Sequence, residues 1–277
     1  MSWLPDYLSV PPEELGKGTP VRVEIAGNAE EVAEHFARSL FEEIKSNPQA
    51  TIIVPVGPVD QFPLLARMIN HHRLDCREVM FINMDEYLTD DDEWIDLDHP
   101  LSFRGYMNRQ FYDLLEAALA PLPANRVFPD PRCPERIAEL IEARGGVDTC
   151  YGGIGINGHI AFNEPPEDEE SVSNEAFAAL GTRVLSLTRE TRTINSHTVG
   201  GEISIIPKRA VTVGMKEILS ARRLRFYCNR PWQSAVVRRV LHGAITPTCP
   251  ASFLRTHPDA CLVVADYVAQ VPDIRLR

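Results

Sequence analysis

The sequence predicts an α/β fold built on a single doubly wound, mostly parallel sheet with helices on both faces. Short continuous apolar runs such as Thr51-Ile52-Ile53-Val54 have the pattern of strands buried on both sides, and they alternate with segments of helical periodicity. No internal repeat divides the chain, so the alternation reads as one Rossmann-like sheet. With 277 residues the chain is long enough for one large core. The reading divides it into an irregular N-terminal arm over residues 1–19 and a single α/β domain over residues 20–277.

The arm carries Pro5, Pro11, Pro12, Gly16 and Gly18 without periodicity and is expected to pack on the surface or on a partner. Residues 21–25 alternate like a strand. Asn28 then precedes a helix over 30–44, where Val32, Ala33, Phe36, Leu40 and Ile44 recur at helical spacing. A strand over 51–56 runs into a Gly57-Pro58 turn and a helix over 61–69. The next strand, 78–84, ends in Asp85-Glu86-Tyr87, followed by an acidic loop over 89–98 and a helix over 102–118. A short strand at 126–128, a helix over 134–143 with proline near its start, and a strand over 148–154 lead into a glycine-rich turn. Strands at 183–187, 210–213, 224–228 and 260–264 and helices at 215–219 and 233–241 complete the alternation. The segment 164–175, rich in Pro, Asp, Glu and Ser, breaks it and reads as a flap or surface loop.

Composition narrows the function classes. Hydrophobic residues make up 44% and charged residues 24%, and no apolar run approaches the roughly 20 residues that span a bilayer, so no membrane partner is expected. The net charge of −11, with no basic run, argues against nucleic acid. The first residues lack a basic and then apolar leader, which places the chain in the cytoplasm as an expectation. The six cysteines stand singly with no C-x-x-C pair, so they are read as reduced and structural, and no metal site is expected.

In a doubly wound sheet the ligand lies beyond the carboxyl ends of the strands, and two polar clusters fall there. The first is Phe81-Ile82-Asn83-Met84-Asp85-Glu86-Tyr87, a buried strand ending in adjacent carboxylates suited to general-base work. The second is Gly152-Gly153-Ile154-Gly155-Ile156-Asn157-Gly158-His159-Ile160-Ala161-Phe162-Asn163-Glu164-Pro165. Its glycines let backbone N–H groups approach an anion or hydroxyl, and its imidazole titrates near neutrality. The stretch Gly153–Gly158 also reads G-x-G-x-x-G, but it lies late in the chain with no ribose-binding acid about 20 residues on, which disfavours a dinucleotide.

Together, N-M-D-E-Y and G-x-G-x-x-G-H-I-A-F-N-E-P resemble the glucosamine-6-phosphate deaminase (isomerase) family. His99-Pro100, Leu187-Thr188, Thr191-Arg192, Asn195-Ser196, Pro207-Lys208 and His257-Pro258 extend the resemblance over most of residues 50–265. The sister 6-phosphogluconolactonases share the Gly-His turn. The resemblance implies that fold and an isomerase–deaminase of carbohydrate metabolism, formally a hydrolase, that turns a 2-amino-2-deoxy aldose into a ketose plus ammonia. It implies Asp85 as the base that moves the proton from C2 to C1, and His159, oriented by Glu164, as the group assisting ring opening, with Asn157 beside it. Gly57, Asp60, Glu86, Gly155, Gly158, Arg192 and Gln233 are the implied substrate-binding positions. No cofactor is implied. The expected partners are a small-molecule sugar and further copies of the chain in a homo-oligomer.

Three departures from the family pattern bear on the substrate. Asn157 stands where the family has an aspartate; an amide holds the imidazole but brings no charge, which weakens its charged form. The family's phosphate loop P-T-G-G/S-T-P here reads Pro55-Val56-Gly57-Pro58-Val59-Asp60, without hydroxyls and with an acid beside the phosphate position. The family's later lysine aligns with Gln233. An unphosphorylated or differently substituted amino sugar is therefore expected as an alternative substrate. Isomerisation without deamination, lactone hydrolysis and a non-catalytic sugar-binding regulator are the competing functions, and no phosphosugar activation is expected.

Overall fold

Strands buried on both faces need helices on either side, and the chain supplies them in alternation. In the computed structural model, which describes residues 3–57, 60–167 and 171–275, the strands are β1 (Arg22–Ala26), β2 (Thr51–Val54), β3 (Met80–Asn83), β4 (Asp85–Leu88), β5 (Arg126–Val127), β6 (Thr149–Gly152), β7 (Arg183–Ser186), β8 (Arg209–Thr212), β9 (Arg223–Cys228) and β10 (Ala260–Ala265). The helices are α1 (Ala29–Ser46), α2 (Gln61–His72), α3 (Phe103–Gln110), α4 (Arg136–Ala143), α5 (Asn174–Ala178), α6 (Arg189–Asn195), α7 (Met215–Leu219), α8 (Gln233–His242) and α9 (Asp266–Ala269). Seven strands form a parallel sheet in the order β1-β10-β9-β6-β2-β3-β5. From β2 the chain builds outward through β3 to β5, then returns to β6 on the other side of β2 and builds through β9 to β10. The order thus reverses between β2 and β6, the position at which doubly wound sheets bind their ligands.

The α/β, mostly parallel architecture is the one expected, with one addition. β4, β7 and β8 make a separate three-stranded antiparallel sheet, so Asp85-Glu86-Tyr87 is not the tail of β3 but the start of a strand in another sheet. Met84 is the joint: its N–H donates to Val54 O of the large sheet (2.9 Å) and its carbonyl accepts from Val213 N beyond β8 (2.7 Å). The small sheet covers its own apolar cluster of Tyr87, Ile95, Phe162, Leu187, Ile206 and Ala210.

Local chemistry accounts for the element ends. Asn28 Oδ1 accepts from Glu31 N (2.9 Å) while Glu31 Oε2 accepts from Gly27 N (2.8 Å), a reciprocal cap that starts α1. That helix buries Val32, Phe36, Leu40 and Ile44 completely, each contributing about 1.5–3 kcal/mol of apolar burial. Phe36 stacks on Tyr227 of β9, ring centroids 4.1 Å apart. The helix expected over 102–118 stops at Gln110, because Phe111 leaves helical dihedrals to bury its ring against Phe62 and Phe81 (centroids 5.3 Å from each). Three short helices escaped the periodicity, α5, α6 and α9, the first two opened by side-chain caps from Ser173 and Thr188. The segment read as a flap runs into α5, whose Phe177, just beyond it, is buried against Phe253; Asp168, Glu169 and Glu170 within it lie outside the described residues, as do Pro58 and Val59.

The N-terminal arm packs on its own chain. It forms two 3-10 turns, and the fully buried Arg238 of α8 donates to Val10 O (2.9 Å) and, at the other terminus, to Ala269 O (2.6 Å). No described helix is long and apolar enough to cross a membrane. The six cysteines are free, and all but Cys133 are buried.

Candidate active site

The turn after β6 is shaped by close approaches that only glycine permits. Gly158 has φ +90°, and a Cβ there would meet Cys249 Sγ at 2.7 Å; its carbonyl accepts from Ala251 N (2.7 Å). At Gly155 a Cβ would lie 2.1 Å from His159 Nε2, so the imidazole rests across bare backbone. Gly155 N in turn donates to His159 O (3.0 Å). Both glycines therefore shape the turn that seats the imidazole.

His159, Asn157 and Glu164 converge with two threonines of the α6 region. Asn157 Oδ1 lies 2.8 Å from His159 Nδ1, and Asn157 Nδ2 donates to Glu164 Oε2 (2.8 Å). Thr191 Oγ1 lies 3.0 Å from Glu164 Oε2 and 3.1 Å from His159 Nδ1, and Thr188 Oγ1 adds a third donor to Glu164 Oε2 at 3.2 Å. Burial opposes the charge on Glu164, but the hydrogen bond and charge of His159, with the Asn157 and Thr191 donors, outweigh it and hold the carboxyl below its ordinary range. Sequence reasoning assigned no role to Thr188 and Thr191; the signal was the cap pattern opening α6. A cleft of about 430 Å³ lined by Ile156, Arg189, Glu190, Thr193 and Ile194 borders this group.

Asp85 and Glu86 are neighbours in sequence with opposite fates, since adjacent strand residues face opposite sides of a sheet. Asp85 retains a little exposure, and among the described residues its carboxyl has no hydrogen-bond partner; burial, aided by the Glu86 charge, pushes it up to about 8. A carboxyl so placed holds its proton near neutrality and, once ionised, is a stronger proton acceptor than an ordinary aspartate. Glu86 was expected to bind substrate, and the structure corrects this. It is fully buried, and its oxygens accept from Tyr87 N (2.9 Å), Phe103 N (3.0 Å), Arg104 N (2.9 Å), Arg104 Nε (3.2 Å) and Ser102 Oγ (3.1 Å). Glu86 anchors the start of α3 and has no oxygen free for a ligand.

Gln233 is also spent on the protein: it is buried, its Oε1 accepts from Arg230 N (2.7 Å), and its Nε2 donates to Ile154 O (2.8 Å), pinning the turn after β6 to α8. Arg192 donates only to the carbonyls of Ile206 and Ile203, at 3.3 Å each, and no carboxylate pairs with it among the described residues. Gly57 and Asp60 flank the undescribed pair after β2. Gly57 is exposed with open space around it, and exposed Asp60 stands at the start of α2 without capping it. Among the described residues no group of three or more His, Cys, Asp or Glu side chains is placed to hold a metal ion.

One residue connects the two clusters. Thr212, at the end of β8, is the strand partner of Asp85, and its Oγ1 accepts from Phe162 N (3.0 Å) in the loop that carries His159 and Glu164. Asn163 adds a second tie, donating to Val213 O (2.9 Å). The Tyr87 hydroxyl, which accepts from Asn195 Nδ2 (2.9 Å), feels the charges of both Asp85 and Glu164.

No family model matches the chain. Similar proteins do: a glucosamine-6-phosphate deaminase of Bacillus velezensis is 32% identical over 250 residues, covering 87% of this chain and 95% of the relative. The chain belongs to the glucosamine-6-phosphate deaminase family. A Clostridium perfringens glucosamine-6-phosphate deaminase is 29% identical over 260 residues, covering 91% of this chain and 99% of the relative. Among solved structures, a monomeric glucosamine-6-phosphate deaminase superposes with TM-score 0.78 at 27% identity, covering 91% of this chain and 100% of the other. A 6-phosphogluconolactonase from Trypanosoma brucei matches at TM-score 0.65 and 16% identity over 91% of this chain and 98% of the other, a likeness of fold. The deaminase family thus shares its architecture with lactonases, and the chemistry is read from the side chains at the carboxyl ends of β3 and β6.

Proposed function

We propose that this protein is an amino-sugar isomerase–deaminase that converts a 2-amino-2-deoxy aldose, glucosamine 6-phosphate or an unphosphorylated analogue, to the 2-ketose with release of ammonia. The observation that carries the reading is Asp85: a nearly buried carboxyl with no hydrogen-bond partner among the described residues, at the start of β4 just beyond the carboxyl end of β3. In the open-chain substrate the C2 proton is acidified by the C1 carbonyl. Asp85 takes that proton and returns it to C1, while the C1 oxygen takes a proton from the substrate's ammonium group to become a hydroxyl, leaving a C2 iminium that water hydrolyses to the ketone and ammonium. His159, held by Asn157 and Glu164, assists the preceding ring opening. A lactonase has no need of a base at Asp85.

The acid at position 60 and the absence of hydroxyls at 56 and 59 support a substrate tail other than a dianion, with Arg192 as the remaining cation for a phosphate. Cytoplasmic residence and assembly into a homo-oligomer belong to the same proposal; sedimentation of the purified protein tests the latter. The deciding experiment incubates the protein with glucosamine 6-phosphate, glucosamine and galactosamine in deuterated water, reading ammonia and deuterium, with Asp85→Asn as control. Asp85-dependent ammonia with deuterium in the product is expected. Ammonia only from the phosphate ester ends the idea of an altered tail, and no turnover of any of the three ends the proposal for these sugars.

A further inference from the structure

The hydrogen bonds around His159 are compatible with one placement of protons. An ionised carboxylate only accepts, so Asn157 turns its amide NH2 toward Glu164 Oε2 at 2.8 Å. Its carbonyl oxygen is thereby turned to the main-chain N–H of His159 (3.2 Å) and to Nδ1 of the ring (2.8 Å). A carbonyl oxygen only accepts as well, so Nδ1 bears the hydrogen. Thr191 agrees: its single hydroxyl proton goes to Glu164 Oε2 at 3.0 Å, leaving a lone pair toward the same Nδ1 at 3.1 Å. Reversing the amide would set its carbonyl oxygen against the carboxylate and its NH2 against a backbone donor.

We propose that Asn157 is a positioning residue that keeps the hydrogen of the neutral His159 ring on Nδ1, so that Nε2, lying over Gly155, is the nitrogen left to exchange a proton with the substrate. The charged group in contact with the ring is Glu164, whose Oε2 lies 3.5 Å from Nδ1; Thr191 from α6 and Phe162 from the returning loop are neutral. With an aspartate at 157, a second carboxylate would stand beside Glu164 and against Nδ1, adding negative charge that favours a proton in the cluster. The amide adds no such charge. It leaves Glu164 as the carboxylate beside the ring.

The assignment of the base to an amino-sugar hydroxyl rests on the function proposed above, whereas the tautomer does not, and the test separates them. Long-range ¹H–¹⁵N spectra of the ligand-free, ¹⁵N-labelled protein report both ring nitrogens, with His159→Gln identifying the resonance among the eight histidines. At neutral pH a pyridine-type Nε2 and a protonated Nδ1 are expected; an Nε2–H ring, or a mixture of tautomers, overturns the proposal. In Asn157→Asp the ring's titration midpoint is expected to rise by about 1–3 pH units, and the acid limb of kcat/KM to move with it. An unmoved midpoint overturns the proposal. The spectrum of the unaltered protein decides even if the variant does not fold, and absence of ammonia formation would sink the function while leaving the tautomer standing.

Discussion

The imidazole of His159 occupies the space a side chain at position 155 would need: a methyl there would lie 2.1 Å from both Cε1 and Nε2. The three nearest atoms all belong to the ring, a movable group, so Gly155→Ala is expected to fold and to tilt the ring out of place. A misplacement on this scale costs on the order of 10² in rate. The check is kcat/KM beside a melting curve: a loss of about a hundredfold with little change in Tm is expected, and near-normal turnover would show that the ring is not where the chemistry happens.

Asp85 makes the pH dependence specific. With its carboxyl at about 8 in the free protein, about a tenth is ionised near neutrality, so kcat/KM is expected to climb roughly tenfold per pH unit toward that value and then level off. Stability runs the other way. The folded state keeps a proton that the unfolded chain, with an ordinary aspartate near 3.9, gives up, so Asp85 costs increasing stability as pH rises from about 4 to about 8. Asp85→Asn is therefore expected to lose activity by more than a thousandfold while raising Tm at neutral and higher pH and leaving it unchanged in acid. A flat rate profile, or equal melting at every pH, contradicts this account.

Glu86→Gln tests the opposite member of the pair. The carboxylate accepts from main-chain N–H groups and from Ser102 and Arg104, and an amide would turn hydrogens toward some of these donors. The expected loss is about 2 kcal/mol, roughly 4–8 °C in Tm, with kcat/KM changed far less than in Asp85→Asn.

Arg238 is buried among carbonyls with no carboxylate bonded to it, and it joins Val10 of the arm to Ala269 of α9. Arg238→Met fills the volume but orphans those carbonyls, at about 1–3 kcal/mol for each left dry. Destabilisation of roughly 3 kcal/mol is expected, together with faster amide exchange in residues 6–15 and 266–270. Protection unchanged in both segments would show that the arginine does not hold them.

These residues also mark where reading the sequence succeeds and where it stops. The runs that became β2 and β10 were legible because a strand buried on both faces is apolar nearly throughout, and the turn around His159 because glycines packed so densely serve close approach. Asp85 and Glu86 could not be told apart, since which face of a strand meets water depends on the partner strand, and β4 pairs with β8 more than a hundred residues later. Gln233, read as a substrate-binding position, and Arg238, which looks like an ordinary helix-surface residue, show their structural roles only when the turn after β6 and the two termini fold onto α8. Thr188 and Thr191 were written in the chain as a cap, but their second employment by Glu164 is a fact of three dimensions.

Thr212 gives the molecule a shared point of reference. The carboxyl at 85 and the loop bearing His159 are both fastened to it, one by strand pairing and the other by a hydroxyl, whereas among the described residues no such tie reaches Gly57 or Asp60. The spacing of the reacting groups is thereby insulated from the segment that meets the far end of the sugar. Substitutions in that segment can accumulate over evolutionary time and exchange one substrate for another while the gauge that sets the chemistry stays at its original setting.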